Sequence, residues 1–155
     1  MRQHRWFRAS RSISLWCQQL KPLFLDTGYV IALEAVDDQH HLDAKRHWNS
    51  LLKALPALVT TTYVINEIAT FFNSRNRHAK AVEIVNRLMS SSSVQLIYVG
   101  EKLFDQAWEY FKKHPDKMYS LTDCISFVTM EEAGIEAALA FDRHFVQAGF
   151  KKLPL

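Results

Sequence analysis

Cysteine, glycine and proline are scarce in this chain of 155 residues, which contains two, four and four of them respectively. Cys17 and Cys124 stand alone, outside any Cys-x-x-Cys or cysteine–histidine cluster, so neither a disulfide framework nor a zinc site is expected. Isolated thiols are typical of a reducing compartment, and we expect a cytoplasmic location. The shortage of glycine and proline argues against an all-β fold with many tight turns.

Long apolar runs and nucleotide-binding motifs are also missing. The apolar runs are far shorter than the ~20 residues required to cross a bilayer, so no membrane segment is expected. Without a Walker A or GxGxxG sequence, the chain lacks the usual signals of nucleotide-dependent phosphoryl transfer and dinucleotide binding. No Ser–His–Asp or Cys–His pattern indicates covalent catalysis.

Acidic residues are missing from the N-terminal segment, although the formal charge of the whole chain is only +3. Residues 1–21 carry five basic side chains and no acidic one, a charge of +5; the remaining 14 basic and 16 acidic side chains give residues 22–155 a charge of −2. We expect residues 1–21 to be a basic extension, either a mobile tail or the product of a mis-assigned start codon. An RNA- or partner-binding arm and a targeting peptide are the alternatives. Residues 22–155 are expected to form a single domain.

From residue 22 onward, short apolar runs alternate with amphipathic helical patterns. Strands are predicted at 22–25, 57–61, 94–99 and 137–141, with an edge strand near 150–155. Helices are predicted at 39–55, 62–72, 77–90, 103–113, 120–133 and 142–148, and the residues directly after the first strand are expected to form a loop. This alternation indicates β-α-β crossovers, and hence an α/β fold: a Rossmann-like three-layer sandwich with a mostly parallel central sheet.

Four acidic residues fall where the carboxyl edge of such a sheet would bring them together. Asp26 and Asp142 end the first and fourth predicted strands, and Asp123 lies in the first turn of a helix. Glu67 lies in the helix after the second strand, where an unpaired buried charge is costly. Each acid alone is explained as a turn residue, a helix cap or part of a solvated face. Those explanations do not account for all four meeting at one edge.

Four neighbouring carboxylates repel one another, and a bound divalent cation removes that conflict. Ligands that are all oxygen favour Mg²⁺, with Mn²⁺ as a substitute, over zinc. Such a site is suited to the hydrolysis of a phosphodiester by metal-activated water. A response-regulator site is disfavoured, because Asp26 has no acidic neighbour and Arg143 follows Asp142 where a lysine would be needed.

Four short motifs resemble the successive motifs of PIN-domain proteins, most closely the VapC-type toxin ribonucleases. They are LFLDT at 23–27, NEI at 66–68, SLTDC at 120–124 and AFDRHF at 140–145. The resemblance covers nearly all of residues 23–155 and implies a PIN-like fold and a Mg²⁺-dependent endoribonuclease. It implies that the catalytic and metal-binding residues are Asp26, Glu67, Asp123 and Asp142, with Asp26 and Asp123 as the firmest ligands.

The same resemblance implies a homodimer and inhibition by a small antitoxin protein, as in a type II toxin–antitoxin system. Thr27 and Thr122 are expected to hydrogen-bond the carboxylates or metal-bound waters. Arg143 and His144 have two interpretations: one of them contacts a phosphate, or they cap the last helix. Two alternatives stay open: an RNA-maturation PIN nuclease without an antitoxin, and a PIN-like domain that binds RNA or protein without cleaving.

Smaller signals have two interpretations each. A basic cluster either follows an RNA backbone or forms a solvated helix face; its members are Arg75, Arg77, His78, Lys80 and Arg87. The histidines other than His144 are expected at the surface. Trp48, Trp108 and most of the ten phenylalanines are expected in the core because they lie on apolar stripes.

Overall fold

The computed structural model describes residues 20–155, in which five strands form one parallel sheet. The strands are β1 (Leu23–Leu25), β2 (Leu58–Thr61), β3 (Val94–Ile97), β4 (Ala137–Leu139) and β5 (Lys151–Leu153). Their order in the sheet is β3-β2-β1-β4-β5, and every neighbouring pair is parallel. The predicted α/β fold with a parallel central sheet is confirmed.

Seven helices are formed by residues 20–155. They are α1 (Thr27–Glu34), α2 (His41–Leu51), α3 (Thr62–Asn73), α4 (His78–Ser90), α5 (Glu101–Lys113), α6 (Leu121–Ala133) and α7 (His144–Gln147). Within this part of the chain, none of them is long and apolar enough to cross a bilayer. Cys17 and most of the predicted extension lie outside the described residues, so the boundary at residues 21 and 22 stays a prediction. Lys21 is described, and its Nζ donates to Oε1 of Glu136 at 2.8 Å.

The core surrounds the central strand β1, whose three residues are all buried. Phe24 is paired in register with Val59 of β2 and Ala138 of β4. The hydroxyl of Thr60 donates to the carbonyl oxygen of Leu25 at 2.8 Å, which fixes β2 to β1 near their carboxyl ends. Because β1 has a neighbour on each side, the residue that follows it lies in the middle of the carboxyl edge.

The largest difference from the sequence-based expectation lies directly after β1, where a loop was predicted and helix α1 is found. The loop prediction is wrong. Four of its eight residues are buried, so it has no solvent-facing stripe for a periodicity analysis to detect. Gly28 in its first turn also resembles a loop residue. A Cβ atom at Gly28 would lie 3.3 Å from Oδ2 of Asp26, so the glycine is explained by the close approach of that carboxylate.

The basic side chains near α4 are largely engaged with acidic or aromatic groups. Glu34 has a side chain only 14% exposed and pairs with Lys80 Nζ at 2.8 Å and Arg87 Nη2 at 2.9 Å. The guanidinium carbon of Arg75 lies 3.7 Å from the centroid of the Phe71 ring. The hydrogen bond from Lys80 to Glu34 raises the pKa of Lys80. These contacts favour a structural interpretation, in which α4 is fixed to α1.

The core prediction is wrong for Trp108. Its side chain is exposed on α5, where its ring stacks on that of Phe111 with 5.4 Å between the centroids. Trp48 is half-buried and packs against the core, as expected.

Candidate active site

Asp26 is positioned by the junction between β1 and α1. It caps α1, since its Oδ2 accepts a hydrogen bond from the backbone N–H of Gly28 at 3.1 Å, and only 7% of the residue is exposed. Burial is the largest effect on this carboxyl group and raises its pKa, and the carboxylates of Asp123 and Glu67 raise the pKa further. The hydrogen bond from Gly28 lowers the pKa, and the net result is a pKa of about 7. Asp26 is therefore a buried acid close to two other acids.

Asp123, Asp142 and His144 form a second group at the same edge of the sheet. One ligand atom from each lies within 4.8 Å of the other two. His144 Nδ1 lies 3.0 Å from Oδ2 of Asp123 and 3.4 Å from Oδ1 of Asp142. A carboxylate only accepts hydrogen bonds, so Nδ1 donates to Asp123, while the backbone N–H of His144 donates to Asp142; His144 therefore contacts both acids.

The local sequence around Asp123 explains its orientation. The Ser120 hydroxyl accepts a hydrogen bond from the backbone N–H of Asp123, and Oδ2 of Asp123 accepts one from the backbone N–H of Ser120, a reciprocal capping box. Within residues 20–155, the bond from the Ser120 N–H and the contact from His144 both use Oδ2 of Asp123, and Oδ1 accepts no hydrogen bond. The predicted helix-capping role and a metal-binding role are therefore compatible.

Asp142 also has a local role, because its Oδ1 accepts a hydrogen bond from the backbone N–H of His144 at 2.8 Å. Strand β4 ends at Leu139, so Asp142 lies three residues beyond the strand and not at its end as predicted. Its side chain is 45% exposed, against 14% for Asp123. Asp142 is thus the more solvent-accessible of the two.

Glu67 reaches the site from α3 and is held by a threonine. The hydroxyl of Thr27 donates to Oε2 of Glu67 at 2.8 Å, as was expected for Thr27. Thr122 is buried beside Asp123, but no hydrogen bond joins its hydroxyl to a site carboxylate in the described part of the chain. Arg143 is exposed at the start of α7.

The four predicted acids therefore meet at one edge, in two groups that approach each other. Asp26 is close enough to both Glu67 and Asp123 for their charges to raise its pKa, and Asp123 is joined to Asp142 through His144. Sequence reasoning treated His144 as a phosphate contact or a helix cap and missed its bond to Asp123. Its position two residues after Asp142 indicates that it lies near the acids, but no sequence pattern indicates its contact with Asp123.

This donor set fits a divalent cation. It consists mainly of carboxylate oxygens, the ligands that Mg²⁺ and Mn²⁺ prefer, and the buried Asp26 carboxyl group has acids near it. A cation at this edge would offset that repulsion, which explains why the chain concentrates acids here. His144 adds nitrogen atoms to an otherwise all-oxygen group, but its Nδ1 donates a hydrogen bond to Asp123.

We expect Thr27→Val to weaken divalent-cation binding by roughly ten- to hundredfold, because Glu67 loses the hydroxyl that orients it while the side-chain volume barely changes. Isothermal titration with Mn²⁺ measures the effect. Thr70→Val, at an exposed position of the same helix as Glu67, is the matched control and should leave the affinity unchanged. Equal affinities for both variants would show that the hydroxyl of Thr27 does not support the site.

Comparison with known proteins identifies the family of this chain. The PIN domain family model matches residues 23–151. Two curated relatives come from strains of Mycobacterium tuberculosis, and both are described as 23S rRNA-specific endonuclease VapC20. Each is 37% identical to this chain over 128 residues, which cover 83% of this chain and 95% of the relative. The crystal structure of Mycobacterium tuberculosis VapC20, described as a sarcin–ricin loop cleaving toxin, superposes with a TM-score of 0.75 at 36% identity, with the same coverage of both chains. The predicted resemblance is confirmed, and the chain belongs to the PIN domain family.

Proposed function

We propose that this chain is an endoribonuclease of the VapC toxin type, which hydrolyses RNA phosphodiester bonds with the aid of a divalent cation. The observation that carries the proposal is the gathering of acids at one sheet edge, where the buried Asp26 lies near Glu67 and Asp123, and Asp123 lies near Asp142 and His144. Burial and the two nearby acids raise the pKa of Asp26 to about 7. Strongly perturbed acids at the carboxyl edge of a parallel sheet are typical of functional sites. The relatedness to endonucleases supports the reaction class.

The residues that would hold the cation are Asp26, Glu67, Asp123 and Asp142, with Mg²⁺ as the proposed ion and Mn²⁺ as a substitute. When bound, the ion supplies positive charge for the phosphate oxygens and lowers the pKa of a water molecule. His144 orients the carboxylates of Asp123 and Asp142, and Thr27 orients that of Glu67. Arg143, exposed beside Asp142, is proposed to contact a substrate phosphate.

The substrate and partners are proposed from the relatives. Because VapC20 is described as specific for 23S rRNA and as cleaving the sarcin–ricin loop, that loop is the first RNA to test. We also propose that the protein acts in the cytoplasm, forms a homodimer and is inhibited by a small antitoxin protein. Light scattering of the purified protein tests the dimer, and co-purification with the product of a neighbouring short reading frame tests the antitoxin.

The purified protein is expected to cut RNA at discrete positions in Mg²⁺ or Mn²⁺ and to lose this activity completely in EDTA. The experiment incubates the protein with ribosomes and with total RNA, and maps the new 5′-phosphate ends by sequencing. Restoration by added Mn²⁺ after EDTA is the control for irreversible damage. Discrete cleavage outside rRNA, without an antitoxin partner, would favour an RNA-maturation nuclease. RNA binding without cleavage under every divalent cation would overturn the proposed reaction.

A further inference from the structure

A cavity of about 500 Å³ opens beside the candidate active site and has no role in the proposed metal chemistry. Its volume lies in the range of about 300–1,000 Å³ that holds small organic ligands. We call it the His40 cavity; its lining includes His40, Asp43, Arg46, Phe141 and Lys152. Charged and aromatic groups thus share one concave surface.

One wall of the His40 cavity is the outer end of a stack of three rings. The ring of Tyr29 is fully buried, and the ring of Phe141 is stacked on it with 5.8 Å between centroids and 11° between planes. The ring of His40 is stacked on Phe141 at 4.3 Å and 5°. The backbone N–H of His40 donates to Oδ1 of Asp38 at 2.8 Å, which fixes the residue at the start of α2. A flat, partly exposed ring is therefore held in place at the cavity wall.

Two cations lie around this ring. Arg46 is exposed, and its Nη2 is 3.7 Å from Oδ1 of Asp43, an exposed pair too long for a strong hydrogen bond. Lys152 Nζ donates only a long bond, 3.4 Å, to the carbonyl oxygen of Pro154. Both cations can thus turn toward an anionic ligand at small cost. Asp43 opposes them with one negative charge.

The position of the His40 cavity relates it to RNA. Phe141 directly precedes Asp142, and Lys152 lies on β5, which pairs in parallel with β4. The cavity therefore lies on the β4–β5 side of the same sheet edge at which the acids meet. An RNA strand whose phosphodiester reaches the acids would have its neighbouring nucleotide within reach of this cavity.

We propose that the His40 cavity binds one nucleotide of the RNA substrate next to the bond that is cleaved, with its base stacked on His40 and its phosphate bound by Arg46 and Lys152. Bases stack on flat aromatic rings regardless of sequence, and arginine and lysine bind phosphate. The inference rests on the proposed RNA substrate, but it is tested by binding in the absence of cleavage.

The test measures the Kd of the full chain for a fluorescein-labelled single-stranded RNA of mixed sequence, by fluorescence anisotropy in EDTA at several salt concentrations. His40→Ala should weaken binding about tenfold through the loss of one base stack. Lys152→Gln should weaken binding and lower the slope of log Kd against log salt by about 0.7, the value for one phosphate contact to a single strand. A residue that only supports the fold would not change this slope.

Two further variants distinguish a loss of RNA binding from a folding defect, because one is expected to bind RNA more tightly and the other to bind it unchanged. Asp43→Asn should strengthen binding, roughly two- to threefold, because it removes the negative charge beside Arg46. Lys102→Gln, at an exposed position of α5, should change neither Kd nor slope beyond a small general charge effect. Thermal unfolding identifies any variant that is destabilised.

The outcomes separate this proposal from the proposed function. If the wild type cleaves RNA but Lys152→Gln and Asp43→Asn leave Kd and salt slope unchanged, the His40 cavity is not a nucleotide site, and the nuclease proposal stands. If the wild type never cleaves but binding responds as predicted, the nuclease proposal fails while the cavity proposal stands. If the wild type neither binds nor cleaves RNA, both fail.

Discussion

Replacing Asp123 by Asn is expected to abolish RNA cleavage and leave the fold intact. The Asn side chain keeps an oxygen that accepts the hydrogen bond from the backbone N–H of Ser120, so the cap of α6 is preserved. The variant removes one cation ligand, and it removes the charge that His144 Nδ1 contacts at 3.0 Å. We expect the cleavage rate to fall by at least about a thousandfold, because the electrostatic support of the reaction is lost.

The control for Asp123→Asn is Asp105→Asn, the same chemical change at an exposed position of α5. Cleavage rates are measured in excess Mn²⁺, and circular dichroism and thermal unfolding establish that both variants are folded. The metal-free Asp123→Asn protein should be at least as stable as the wild type, since a charge near Asp26 is removed. Full Mn²⁺-dependent cleavage by purified Asp123→Asn would exclude this site as the origin of the activity.

Replacing Asp26 by Asn is expected to stabilise the metal-free protein at pH 8 and to remove its response to divalent cations. In the folded protein the pKa of Asp26 is raised from 3.8 to about 7, mainly by burial. A group with a raised pKa favours the folded state when protonated, so its contribution is complete below pH 4 and is lost as the pH rises to 7. One pKa unit corresponds to about 1.4 kcal/mol, so the gain from Asp26→Asn at pH 8 is on the order of 2–4 kcal/mol.

The measurement is the free energy of unfolding in EDTA between pH 4 and pH 8, for the wild type and for Asp26→Asn. The difference between the two proteins should grow from pH 4 to pH 7 and stay constant above pH 7, and taking this difference cancels the titration of groups that do not interact with Asp26. The Asn side chain still accepts the bond from the Gly28 N–H, so helix capping is retained. A difference independent of pH would contradict the raised pKa.

Stabilisation by divalent cations is expected to depend on pH in the opposite direction to the contribution of the proton on Asp26. Because a cation competes with the proton on Asp26, Mn²⁺ should stabilise the wild type more strongly at pH 8 than at pH 5. Asp26→Asn should lose most of this stabilisation at both values of pH. Melting temperatures with and without Mn²⁺ test this directly.

Much of the site was predictable because its residues follow strands or begin helices. A polar residue directly after a buried strand lies at a sheet edge, and parallel strands place their carboxyl ends at the same edge. Asp26 was therefore assigned to this edge from its place after β1, and Asp123 was assigned to it as an acid in the first turn of a helix. The connection between His144 and Asp123 was not predictable, because 21 residues separate them in the chain and only the packing of α7 against α6 brings them into contact.

Helix α1 and the His40 cavity mark where sequence patterns fail. Periodicity detects a helix only when one face meets solvent, and α1 is buried on several sides. The cavity is lined by residues of α2, β5 and the segment after β4, each of which was interpreted separately as core or surface. Patterns within one segment contain no information about which segments meet.

The amino-acid sequence by itself determined the order of the strands, six of the seven helices within residues 20–155, the parallel sheet and the expectation that four acids lie near its edge. These depend on hydrophobic periodicity and on positions near the ends of strands and the starts of helices. The tertiary structure alone decided how strongly those acids interact. Burial, together with the approach of Asp123 and Glu67, raises the pKa of Asp26 to about 7, and burial is a property of the packed chain. The same packing forms the stack of Tyr29, Phe141 and His40 from three separate segments, since side-chain contacts between distant residues arise only when the chain folds.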